Sequence, residues 1–153
     1  MATDFNFERV LQNFNRLKKT MPFKVANATK NYFVKSFTEQ AFDGKAWQEV
    51  QRRISGTNAN KYAKPASKTR AILIQSGKLR RAVSTSLRLA TFDKIEFLID
   101  GGTIPYAKVH NDGDRAGRGA GFIMPKRRFI GDTKELRKKQ VDIIVNEIDN
   151  IWK

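Results

Sequence analysis

Cysteine is absent from this chain, and histidine occurs once, at position 110. The first absence excludes a disulfide framework, thiolate nucleophiles and thiolate zinc sites. The second leaves any transition-metal site to carboxylates gathered around one imidazole. No apolar run approaches the roughly 18 residues of a membrane-spanning helix. The opening MATDFNFERV is acidic and polar and has no apolar signal core. These absences set the expectation of a soluble product of a reducing compartment, the cytoplasm.

Acid is missing where base is plentiful. Between Val50 and Phe92 there is no Asp or Glu, while ten Lys and Arg residues fall in that stretch. A second acid-free stretch, 115–131, holds Arg115, Arg118, Lys126, Arg127 and Arg128. The formal net charge is +15. Such fields attract polyanions and speed encounter with acidic surfaces. A solvated, solubilising face is the plainer reading of the same charge. The length of 153 residues sets the expectation of one domain, 1–153.

The apolar pattern predicts an α+β domain. Val10, Leu11, Phe14 and Leu17 share one helical stripe over residues 5–19, with Asp4 as a cap. Pro22 predicts a break, and Phe23, Ala26, Phe33 and Phe37 give a second helix to about Gln40. Asp43-Gly44 signals a turn. Residues 55–70 have almost no apolar content and predict a long, mobile basic loop. In 71–84 a short apolar run leads to a helix capped by Ser76. Period-2 alternation through Leu87, Leu89, Ile95, Phe97 and Ile99 predicts an antiparallel hairpin. The glycine-rich stretch 111–122 predicts a second mobile loop or a mobile β-excursion, and FIMP (122–125) a further short strand. Asp132-Thr133-Lys134-Glu135 has capping-box spacing ahead of a last helix with Ile143, Ile144, Ile148 and Ile151 on one face. The expected architecture is two N-terminal helices, a small antiparallel sheet with a long basic loop, and a C-terminal helix packed on the sheet.

Motifs for chemistry are sparse. Asp112-Gly113-Asp114 lacks the length and the distal Glu of a calcium loop. The glycines of 113–121 match neither a Walker loop nor a dinucleotide fingerprint. Ser76-Gly77 is not a nucleophile elbow. A single-His nuclease needs a base, a phosphate clamp and usually a metal, and only the clamp is well supplied. His110 therefore reads as structural, on a short turn after Tyr106, with Asn111-Asp112-Gly113 reversing the chain.

Three segments carry a resemblance. LIQSGKLRRAVS (73–84) resembles a Leu…Ser/Thr-Gly-x-Leu-x-x-Ser/Ala signature, and IPYAKVHNDG (104–113) a Pro-Tyr-Ala-x-x-His-x-x-Gly signature. MPKRRFIGDTKEL (124–136) resembles a Pro-x-Arg-x-Phe-Leu/Ile-Gly segment leading into a last helix, although KRRFIG departs from the more usual Ala-Arg-Pro-Phe. In this order and spacing, over about residues 35–150, they resemble the phage virion morphogenesis family. These are Mu-like tail-completion proteins, related in architecture to head–tail connector (neck) proteins.

The resemblance implies no catalysis, no cofactor and no metal. It implies a structural virion protein that completes the tail or joins head and tail, as a homo-oligomeric ring around the DNA path. The implied partners are other neck, connector or tail-tube proteins, with passing DNA a further candidate and no membrane. The implied location is the virion, at the head–tail junction or tail end, after assembly in the host cytoplasm. On this view Arg80, Arg81, Arg115 and Arg118 are candidates for contact with a neighbouring subunit, an acidic connector surface or DNA. Tyr106, His110 and Gly113 shape a loop. The rival reading is a nucleic-acid-binding protein acting through the basic loops, and behind it the nuclease. The expected outcome on plasmid DNA is no cleavage by the purified protein, with or without magnesium, and no difference on His110→Ala in a gel assay.

Overall fold

A computed structural model describes residues 5–117, 119 and 121–152. The order of elements is α1 (Phe7–Glu39), β1 (Ala41–Phe42), β2 (Lys45–Ala46), α2 (Asn58–Lys61), α3 (Pro65–Lys68) and α4 (Lys78–Ser84). Then come β3 (Leu87–Ala90), β4 (Ile95–Phe97), α5 (Tyr106–Asp112), β5 (Arg115–Ala116), β6 (Phe122–Ile123) and α6 (Lys134–Asp149). The architecture is α+β, and among the described residues the strands form three separate two-stranded antiparallel ribbons. No described helix is long and apolar enough to cross a membrane. The chain divides into two compact units, one of residues up to Asn31, Leu87–Leu98 and from Asp132 onward, the other of Tyr32–Ser86 and Ile99–Gly131.

The two expected N-terminal helices are one. Pro22 lies inside α1 and is buried. It has no N–H for the carbonyl of Lys18, a loss that with ring crowding costs about 3 kcal/mol in a helix interior. Burial on either side of it outweighs that cost: Leu17, Val25 and Ala26 before Asn31, and Phe33 and Phe37 after it, are all buried. The expected cap Asp4 lies outside the described residues. Asn6 caps instead, its Oδ1 accepting the Arg9 N–H at 2.9 Å.

In the first unit α6 packs on the strands. The β3–β4 hairpin pairs Leu87 with Phe97 and Ala90 with Ile95, and a bulge at Arg88 shifts the register between them. Three side-chain links join α6 and the residues after it to α1. Gln140 donates to Thr29 Oγ1 at 2.9 Å, Lys24 pairs with Glu147 at 2.7 Å, and Asn13 donates to the Ile151 carbonyl at 3.0 Å. The capping residue of α6 is Thr133, whose Oγ1 accepts the Leu136 N–H at 3.0 Å. Asp132, the expected cap, sits one residue too early and is held by Arg137.

The second unit is built on aromatic packing. Phe37 meets Trp47 edge-on, with centroids 5.6 Å apart, and Phe129 at 5.4 Å. The Trp47 indole N–H donates to the Arg128 carbonyl at 2.7 Å, so the ring's polar end is also satisfied. Asp43 and Gly44 both take positive φ (54° and 71°) between β1 and β2, the backbone that a tight primed turn needs. Segment 55–70, expected as a loop throughout, holds α2 and α3. Thr57 caps α2, and Pro65 starts α3 in the position where its missing N–H costs nothing. Arg52 fastens this excursion: its Nε donates to the Ser67 carbonyl at 2.8 Å and its Nη2 to the Arg70 carbonyl at 3.0 Å. Phe37 is 1% exposed. Its replacement by Ala is expected to cost about 3–5 kcal/mol of unfolding free energy, measured by urea denaturation.

Candidate functional site

Residues 104–113 form no simple turn. Asp100 starts the segment, its carboxylate accepting from the Gly102 N–H at 2.9 Å and the Thr103 hydroxyl at 2.6 Å. Pro105 then supplies the preset φ of a helix start, and Ile104 and Ala107 are buried beneath α5. Tyr106 and His110 therefore lie one turn apart on one helix face, ring centroids 6.0 Å apart. Gly113 ends the helix with φ 75°. A Cβ there would stand 2.8 Å from Lys126 Cβ and 3.1 Å from its backbone, so glycine is required twice over.

Tyr106 and His110 form part of the wall of a cleft of about 560 Å³, within the usual size of ligand sites. One continuous wall runs from Arg70 to Leu79. Val50, Arg52 and Arg127 complete it. Each of the three segments that carry the sequence resemblance contributes: Leu73 to Leu79 from the first, Tyr106 and His110 from the second, Arg127 from the third. Leu73 has φ 59°, a left-handed conformation costly for a branched side chain. Gly77 (φ 72°) makes the turn into α4. Ser76, the expected cap, gives that helix only its carbonyl, which accepts from Arg81 Nη2 at 3.0 Å.

The cleft lining is cationic, with Glu49 the acidic residue that acts on it from outside the wall. Among the described residues no carboxylate pairs with Arg52, Arg70, Lys78 or Arg127, and no acidic residue lines the cleft. Arg127 is 4% exposed, its Nε donating to the Gln48 carbonyl at 2.9 Å. Burial, then repulsion from Arg52, pulls its pKa below the usual guanidinium value, with Glu49 opposing. Arg52 is lowered by burial first and then by Arg70 and Arg53. His110 is lowered by burial and by Arg127, and its Nδ1 is buried without a hydrogen-bond partner. Burial and Arg127 thus both favour the neutral imidazole, and the arrangement is suited to holding an anion.

The remaining predicted site residues lie elsewhere. Arg80 and Arg81 are exposed on α4 and do not line the cleft. Arg115 is exposed in β5, and Arg118 lies outside the described residues. Asp112 and Asp114 both pair with Lys108 at 3.4 Å, and among the described residues no three metal-ligating side chains gather. Sequence reading passed over Arg70, Lys78 and Arg127 as cleft residues. Their acid-free setting was visible, but the shared wall is a product of the fold.

The lowered pKa of His110 has a consequence for stability. The folded state binds the proton less tightly than the unfolded chain, whose imidazole titrates near 6.5. Stability is therefore expected to fall as pH drops below about 6.5. Melting temperatures taken between roughly pH 7.5 and 5.5 should show a steeper fall for the native protein than for His110→Gln.

The model of the phage virion morphogenesis family matches residues 4–149. No curated protein and no solved structure matches the chain.

Proposed function

The chain belongs to the phage virion morphogenesis family and is a virion-associated structural protein; from that premise we propose that it completes the tail or joins head to tail, as one subunit of a ring around the DNA path. The ring stands in the mature virion, at the head–tail junction or the tail end, after assembly in the host cytoplasm. Its partners are further copies of itself and other neck, connector or tail-tube proteins, and it works without catalysis.

The observation that carries the reading is the apolar surface of the first unit. On α6, Val141, Val145 and Ile148 follow at intervals of four and three residues, 55%, 48% and 43% exposed. On α1, Phe7, Leu11 and Phe14 repeat the same spacing, also exposed. Helical rows of this kind are left in water at a cost of about 1.5–3 kcal/mol per large side chain relative to burial. They mark contact surfaces. The acid-free stretch 50–92 supports the second reading, binding of nucleic acid, and DNA affinity falling steeply with salt would favour it.

Replacing Val145 and Ile148 together by Glu is expected to leave the circular dichroism spectrum unchanged. The same change is expected to stop assembly: mass measurement with connector or tail particles shows the variant unbound, and phage carrying it yield unjoined heads and tails. Wild-type yields of joined particles from that variant would count against the ring-subunit reading.

A further inference from the structure

We propose that the arginine-lined cleft of the second unit receives a carboxylate-bearing peptide segment of a partner protein, its Asp or Glu side chain seated between Arg70 and Arg127. The proposal stands on this cleft alone and does not depend on the place of the protein in the virion.

Three observations converge. Charge comes first: Arg70, Lys78 and Arg127 have no carboxylate partner among the described residues, and Arg70 and Lys78 make no side-chain hydrogen bond there. Guanidinium groups pair with carboxylates through parallel hydrogen bonds, a capacity that Arg70 leaves unused and that Arg127 spends only in part, on the Gln48 carbonyl and the Met124 sulfur. Depth comes second. Arg127 is 4% exposed, so its partner must enter the cleft. A DNA duplex presents phosphates on a broad surface that meets exposed Lys and Arg side chains. A protein side chain is thin enough to go in, which favours peptide over nucleic acid. Lining comes third. Ile72, Leu73, Ile74 and Leu79 stand beside the cations in the same wall. Of these, the half-buried Leu73 and Ile74 offer burial to the methylenes of a glutamate and to its apolar neighbours. Leu73 holds its left-handed backbone in this wall, the kind of strain that folds keep at working sites.

His110 supplies the reporter. It is the only histidine of the chain and lies in the cleft, so its imidazole resonances form a single, local NMR signal. The probe is a blocked peptide of alternating glutamate and leucine, and the control is the same peptide with glutamine for glutamate. The glutamate peptide is expected to bind at least about tenfold more tightly in calorimetry and to move the His110 resonances. Arg70→Glu combined with Lys78→Glu should weaken binding by about tenfold or more and abolish the shift. Arg127→Lys, which keeps the charge but loses the fork, should weaken it with the fold intact by circular dichroism. Equal binding of both peptides would overturn the proposal. So would glutamate-peptide binding that leaves His110 unmoved, and so would a short DNA duplex or inorganic phosphate that shifts His110 more strongly than the peptide does.

Discussion

The second unit depends on how residues 127–130 are threaded through it. The Arg127 N–H donates to the His110 carbonyl at 2.8 Å, and the Arg127 guanidinium to the Gln48 carbonyl. The Arg128 carbonyl accepts the Trp47 indole. One oxygen of Asn111 accepts both the Phe129 and the Ile130 N–H, each at 3.0 Å. Phe129 then closes the aromatic cluster on Phe37. Four consecutive residues thus bind α5, the segment after β2 and the end of α1. A part-buried amide left unpaired costs about 1–3 kcal/mol, so Asn111 alone holds a large share of a domain's net stability.

The same threading explains why the cleft is positive. Arg52 and Arg127 are anchored by main-chain carbonyls where many folds would use carboxylates. Carbonyl dipoles fix the side chains, but they leave the charge to be offset only in part, by Glu49. Burying such a charge is costly, and it is retained here together with a strained Leu73 and an orphaned His110 nitrogen. Three local departures from the most stable arrangement meet in one wall. That is the pattern of a site shaped by something other than stability.

Legibility in the sequence followed the range of the interaction. The β1–β2 turn, the β3–β4 hairpin and the last helix were visible because local spacing and turn chemistry decide them. Pro22 misled because its cost is local and the burial that outweighs it is distributed along α1. The capping box was read one residue early, since Asp132 and Thr133 are both good caps and only the fold gives Asp132 to Arg137. His110 was expected in a turn because Asn111-Asp112-Gly113 reads as one, whereas Asn111 and Asp112 finish a helix and only Gly113 turns. The cleft was out of reach of pattern reading. Arg70, His110 and Arg127 are far apart in sequence, and no periodicity links them.

The clamp made by Arg52 reaches beyond the cleft. By gripping the chain at Ser67 and Arg70, it fixes the far end of the excursion that starts just after it. Tyr62, within that excursion, is 78% exposed. Between clamped ends, each doubling of loop length adds only about 0.6 kcal/mol of closure entropy. The stretch around Tyr62 is therefore a natural port for an epitope, a fluorophore or an electron-dense label. A tag placed there would let the protein be located inside an assembled particle while the aromatic core below keeps its shape.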